Sequence, residues 1–522
     1  MKKISLIVIA VIAVAILAVG LYLYQNNKLV IGNPNNLMAD VLQATTSLSN
    51  NKKDVKLLLL VDSSVLKGLD GELKDYSQDV KRELGLNTVI KSVLSTDTVF
   101  TLKKYVDDFY KQNNLNGILI IGNVPTGQMY HSDLAVGTVF DSQGYVLSDS
   151  IYQDVFGKCI YSESKKAFDY KDPECQTGVT TQLYWVARLT PNSTTATNLV
   201  QLKSYFQRNH AFRTGKISFK NNFMAYLPIL SESQSRDIEM KTFMERISGY
   251  GTYNTKQTNI IDINDKNSDQ KYLSELSKPN NYEAVVFNGH GLPTFHMKDI
   301  KPENLKKTSF VFMNLLSCSV GRFTTVDYLA GRYLFNGGLI VLAPTTPVFA
   351  STQFEDNTYE MLSLGVPFYK AFEYDGIGGN ILGDPTLKMR YDSRTYYKSG
   401  AKIVMSDKDL SFSKLNPNKV VKITNKGTKP LLFAIRGKAV QQKNSSLIKS
   451  FSAGFDANAT IENNKPYSLL PGKTTEMSFQ TAYDFPYDTI SPGLYKEKYY
   501  VVSNDPDSPL IEMNFDYSVP KR

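Results

Sequence analysis

The chain is predicted to fold as an α/β protein with two doubly wound sheets, one in each of two α/β subdomains, followed by an antiparallel β-sandwich. Three observations predict this. Continuous apolar runs such as residues 55–61 (VKLLLLV) and 117–121 (GILII) read as parallel strands buried on both faces. Between them, residues 76–84 and 102–112 space Val, Leu, Tyr and Phe as one face of a helix does. Beyond Ser399 the pattern changes to short alternating stretches separated by turn residues.

The 522 residues, 42% hydrophobic and 21% charged, can bury a large core and divide into several domains. Lys and Arg number 59 against 50 Asp and Glu, a net charge of +9, but the basic residues occur as doublets such as Lys52-Lys53 and Lys306-Lys307. Without a basic block, a dedicated nucleic-acid surface is excluded. The charge suits a solvated surface near anionic lipid or cell-wall polymer.

Residues 1–27 read as a membrane anchor or signal segment. Met1-Lys2-Lys3 precedes an apolar run over residues 4–24, which at 1.5 Å per residue reaches about 30 Å, the thickness of a bilayer core. The length favours a retained single-pass anchor with the bulk of the chain extracytoplasmic. Ala18-Val19-Gly20 offers a cleavage site whose use would make the protein secreted. Residues 28–54, rich in Asn and Ser, form a linker.

Residues 55–214 form the amino-terminal α/β subdomain, with strands at 55–61, 87–93, 117–121 and 183–189 and a helix at 198–208. Residues 129–180, polar and rich in Tyr, are an excursion from its sheet. Asn192-Ser193-Thr194 matches an N-glycosylation acceptor, a triplet frequent by chance. Residues 215–395 form the second α/β subdomain, with strands at 222–227, 284–287, 310–316 and 338–343 and a helix at 236–249. In residues 396–522, stretches such as 419–423, 431–435 and 495–502, broken by Asn425-Lys426-Gly427, Pro471-Gly472 and Pro492-Gly493, read as an immunoglobulin-like β-sandwich.

The chain has three cysteines. Cys159 and Cys175 lie in a polar loop that an oxidising compartment could close with a disulfide. Cys318 is then an odd thiol, kept either by burial or for reactive use.

Two segments carry the chemistry. In Asn288-Gly289-His290-Gly291 and Ser317-Cys318-Ser319-Val320-Gly321, a hydrophobic strand delivers one reactive side chain near glycines that permit tight turns and close approach of a substrate backbone. The two follow successive strands, and in open parallel sheets the carboxyl edge carries the site. An imidazole near a thiol makes it an efficient nucleophile and later protonates the leaving amine. The backbone N–H groups of Gly291 and Cys318 are candidates to hold an oxyanion. Other groupings are weaker. His290 and His296, six residues apart with no acidic partner, lack the spacing of a zinc site. His131 and His210 read as solvated, and Asp384 as a turn former beside Pro385.

These segments resemble the gingipain-type branch of the caspase-like cysteine peptidases, in which one strand is followed by Gly-His-Gly and the next by a Ser-x-Cys or similar element with a glycine nearby. Further stretches are similar in order. Residues 117–122 resemble the family's strand followed by Gly-Asp, with Asn123 replacing the Asp. Val186-Ala187-Arg188-Leu189 resembles (Val/Ile)-Gly-Arg-(Leu/Ile/Phe), with Ala187 replacing the Gly. Gly337-Gly338-Leu339-Ile340 resembles the Gly-Ala segment, and residues 380–387 the Leu-Gly-Asp-Pro-(Ser/Thr)-Leu signature. The resemblance covers residues 55–389.

It implies a caspase/gingipain-like fold and a cysteine endopeptidase that cleaves surface or secreted proteins. Cys318 would be the nucleophile of a thioester acyl-enzyme, with His290 as general acid/base. No obligatory cofactor is implied, although relatives often carry structural calcium. Two rivals stand beside this reading: a transpeptidase using the same pair, and a non-catalytic surface scaffold or adhesion protein.

Overall fold

The computed structural model describes residues 55–130, 145–154, 159–169, 184–191, 193–228, 258–262, 265–296, 300–347, 367–371, 379–389, 400–413, 418–437, 459–460, 467–480, 493–503, 505, 507–508 and 510–519. The apolar run at 4–24, the linker at 28–54, His131, Cys175, Asn192 and the helix expected at 236–249 lie outside them. Among the described residues no helix is long and apolar enough to cross a membrane.

Ten strands form the central sheet: β1 (Val55–Asp62), β2 (Asn87–Val93), β3 (Asn114–Ile121), β4 (Trp185–Leu189), β5 (Phe223–Tyr226), β6 (Thr258–Ile261), β7 (Tyr282–Asn288), β8 (Phe310–Leu316), β9 (Gly338–Pro344) and β10 (Gly379–Gly383). Strand β1 shows why its run is apolar throughout. Alternate side chains leave a strand on opposite faces, and here each face meets its own core. Leu57, Leu59 and Val61 join one cluster and Leu58 and Leu60 the other. In β3, Leu119 and Ile121 divide from Ile118 and Ile120 in the same way.

Helices α1 (Asp70–Leu84), α2 (Val99–Gln112) and α3 (Thr195–Arg213) cover these faces. Helix α1 buries Leu73, Tyr76 and Val80 and stops at Gly85, whose φ of 70° lets its N–H bond Lys81 O at 2.9 Å. Helix α2 starts at Val99, three residues before the expected 102, where Thr98 and Thr101 form a reciprocal capping box.

The strand order is β6-β5-β7-β8-β9-β10-β4-β3-β1-β2. Strands β6, β5, β7, β8 and β9 run parallel to one another, as do β4, β3, β1 and β2. Strand β10 runs antiparallel to β9, from Ile340↔Gly383 to Pro344↔Gly379, and meets β4 through Leu382↔Arg188. The two separate doubly wound sheets expected from the sequence are therefore one sheet. Two smaller sheets would each present an edge of unpaired backbone groups, and β10 fills the gap between them. A side chain at Gly383, where φ is 108°, would come within 2.3 Å of Leu339 O, so this close pairing requires glycine.

Residues 127–130, 145–148, 161–162 and 167–169 form a separate four-stranded sheet. In the carboxyl-terminal part, a three-stranded and a six-stranded sheet share one core that includes Val421, Ile423, Leu431, Phe433, Met477 and Phe515. Not every pairing there is antiparallel: Asp409–Ser413 runs parallel to Leu510–Val519.

Candidate active site at the carboxyl edge of two parallel strands

Strands β7 (YEAVVFN) and β8 (FVFMNLL) are neighbours near the middle of the parallel run, and β7 is buried along its whole length. Their register pairs Tyr282 with Phe310 and continues to Asn288 with Leu316. The ladder extends one residue further, Gly289 N–H donating to Leu316 O at 3.1 Å. His290 and Cys318 each stand two residues beyond Asn288 and Leu316, so they leave the sheet at the same level from strands about 5 Å apart. His290 is exposed; Cys318 is half-buried and is not disulfide-bonded.

Beyond His290 the chain makes a tight hairpin in which Gly291 faces His296 and Leu292 faces Phe295. His296 N–H donates to Ile300 O at 2.9 Å, so it is not given to Gly291. Antiparallel partners exchange both hydrogen bonds or neither. The Gly291 N–H therefore points away from His296. Gly291 is also a close-approach position: a Cβ there would lie 2.2 Å from Ser317 Oγ and 3.1 Å from Phe295 O. The side chain preceding Cys318 thus occupies the notch beside the residue following His290.

His296 is fully buried, stacked on Phe287 with ring centroids 3.9 Å apart, and its Nδ1 lies 3.0 Å from Ser317 Oγ. Burial drives its pKa down to about 3, so the ring is neutral near pH 7. Its Nε2 has no hydrogen-bond partner among the described residues. The sequence offered His296 only as a doubtful zinc ligand. The structure instead turns its Nδ1 to Ser317 inside the core.

The chain after Cys318 is pinned by backbone contacts. Ser319, with φ of 57°, donates its N–H to Thr346 O at 2.9 Å, and Gly321 N–H donates to Pro344 O at 2.8 Å. A Cβ on Gly321 would meet Ala343 O at 2.6 Å. Phe323 then lies against the Arg188 guanidinium, 4.4 Å from its ring centre. Arg188 is buried and bound through two nitrogens to Asp149, each at 2.7 Å. This ion pair, invisible in sequence because its partners are 39 residues apart, supports the turn after Cys318. The Tyr328 hydroxyl ties the same region to the end of β4 by donating to Thr190 O at 2.7 Å.

Beside the hairpin tip lies a cleft of about 780 Å³, with Thr294, Phe295, Lys301, Asp327 and Arg332 among its lining residues. The remaining candidates fall elsewhere. His210, expected to be solvated, pairs through Nδ1 with the buried Asp79 at 2.7 Å. Asp384 is a fully buried acceptor for Tyr76, Asn209, Arg213 and Thr386, as well as the residue before Pro385. Cys159 is disulfide-bonded and buried. Among the described residues no three His, Cys, Asp or Glu side chains are grouped so as to hold a metal ion.

No protein-family profile matches the chain, and no curated protein does. Solved structures similar to parts of it include a protein of unknown function from Porphyromonas gingivalis W83, at 14% identity over 27% of this chain and 56% of that one, with a TM-score of 0.19. The E. coli chaperone DraB matches at 11% identity over 23% of this chain and 55% of its own, with a TM-score of 0.15. A PapD-like domain of human CEP192 matches at 12% identity over 25% of this chain and 91% of its own, with a TM-score of 0.14. This chain thus spans about half the length of the first two. The expected caspase/gingipain-like class of two doubly wound sheets is corrected by the strand order itself to mixed α/β with one ten-stranded sheet.

Proposed function

We propose that the protein is a cysteine endopeptidase in which Cys318 is the nucleophile and His290 the general acid/base. The observation that carries this reading is the β7/β8 register, which brings the two residues to one level of one sheet edge. The likeness of Asn288-Gly289-His290-Gly291 and Ser317-Cys318-Ser319 to gingipain-type peptidases supports it.

In this reading the thiol proton passes to His290 as Sγ attacks the scissile carbonyl carbon. The outward N–H of Gly291 and that of Cys318 receive the developing oxyanion. The C–N bond breaks as His290 returns the proton to the leaving amine. Water, deprotonated by His290, then cleaves the thioester to a carboxylic acid and restores the thiol. Substrates would be surface or secreted proteins, since the apolar run at 4–24 suits a membrane anchor and the disulfide at Cys159 suits an oxidising compartment.

The test is cleavage of a mixed peptide library by the full-length chain, beside Cys318→Ala and His290→Ala. Each substitution is expected to lower kcat by about a thousandfold or more. Cleavage that survives Cys318→Ala would rule the reading out.

A further inference from the structure

Cys318 is held from both sides, and the two anchors differ in kind. On its carboxyl side, Ser319 is fixed by backbone, with positive φ and an N–H bonded to Thr346 O. On its amino side, Ser317 is fixed through its side chain. Ser317 is 1% exposed, and its hydroxyl fills the notch at Gly291 and shares a hydrogen bond with His296 Nδ1. His296 sits across the hairpin from Gly291, one residue after His290. The ring cannot swing away, being stacked on Phe287 of β7 and packed near Tyr333, 5.8 Å between centroids.

We infer that His296, acting through Ser317, is a positioning residue that locks the Cys318 turn against the His290 hairpin. The inference rests on the proposed roles of Cys318 and His290. Strand register alone sets the level at which both residues leave the sheet, but two loops that leave a sheet can still diverge. The His296–Ser317 hydrogen bond joins them one residue from each reacting group. It does so inside the core, where water cannot replace either partner and a buried polar contact is strongest. A neutral ring suits this task, because it can hold the serine without competing with His290 for the thiol proton. Among the described residues Nδ1 is the ring nitrogen that makes a hydrogen bond.

A displacement of about 1 Å at reacting atoms costs on the order of a hundredfold in rate. Ser317→Ala and His296→Phe are therefore expected to lower kcat by about 10- to 100-fold with KM changed by less than about 3-fold. His296→Asn, whose amide reaches the Nδ1 position, should recover most of that loss. A second readout needs no substrate: the rate of Cys318 alkylation by iodoacetamide at pH 7, followed by mass spectrometry of the Cys318 peptide in the full-length chain. His290→Ala is expected to lower this rate, and Ser317→Ala to lower it too while unfolding at the wild-type urea midpoint within about 1 M. A rate that depends on His290 but is untouched in Ser317→Ala and His296→Phe would overturn the positioning role alone. A rate indifferent to His290→Ala would overturn the dyad and this inference together.

Discussion

His296 carries a burden that its neighbours do not. With its ring fully buried, its pKa stands near 3 in the folded protein against 6.5 in the unfolded chain. As pH falls below 6.5 the unfolded chain takes up this proton first, so the contribution is whole above 6.5 and is lost as pH falls toward 3. The loss runs at about 1.4 kcal/mol per pH unit, or about 2 kcal/mol by pH 5. His296→Phe removes the titration, so its urea stability should fall less than that of the wild type between pH 7 and pH 5, by about 2 kcal/mol. Equal losses in the two proteins would show that the ring is protonated without cost. The glycine across the hairpin is constrained in a different way, by the 2.2 Å that a Cβ would leave to Ser317 Oγ.

At the scale of elements, the turn after β10 is built on an ionic knot. Burial alone would raise the Asp384 carboxyl, but the Arg213 guanidinium at 2.6 Å and the donors on Thr386 and Asn209 hold it below the usual range. Both members of the pair are fully buried, and removing Asp384 would leave Arg213 with the partly exposed Glu83 as its carboxylate partner. Asp384→Ala should cost about 3–5 kcal/mol in urea unfolding at pH 7 with an unchanged m-value; a cost under about 1 kcal/mol would show the knot to be dispensable. This knot marks the limit of what the residues display in order. Strands β1, β3, β7, β8 and β9 were legible because a strand buried on both faces carries a nearly continuous apolar run, and the helices because their apolar faces repeat. The arrival of His290 and Cys318 at strand ends was legible for the same reason. Arg188, Asp149, Arg213 and Asp384 were not legible as pairs, because an ion pair between distant elements leaves no local pattern. The burial of His296 was not legible either, because it depends on Phe287 and Tyr333, which a one-dimensional spacing does not include.

At the scale of the whole molecule, the join between the two halves of the sheet was hidden for a further reason. Strand β10 is five residues long with glycine at both ends, so it has neither the length nor the unbroken apolar run of its neighbours. Gly383 is where the join is most exposed to change. A valine there would meet Leu339 O and Ile340 Cα in a backbone conformation that β-branched residues avoid. Gly383→Val is expected to lower the stability of the α/β region by about 3 kcal/mol or more, read from tryptophan fluorescence of Trp185 on β4 during urea unfolding. A midpoint equal to that of the wild type would show that β10 does not bind the halves together.

The place of β10 in the chain also sets an order in time. Both of its partners, β4 and β9, are synthesised before it, and β4 precedes it by almost two hundred positions. A nascent chain therefore holds two partial sheets with open margins until residues 379–383 emerge. Pairings between such distant segments are slow to form and leave strand margins open to other chains meanwhile. The β7/β8 edge that bears Cys318 and His290 can assemble during this interval, before the strand that closes the sheet arrives.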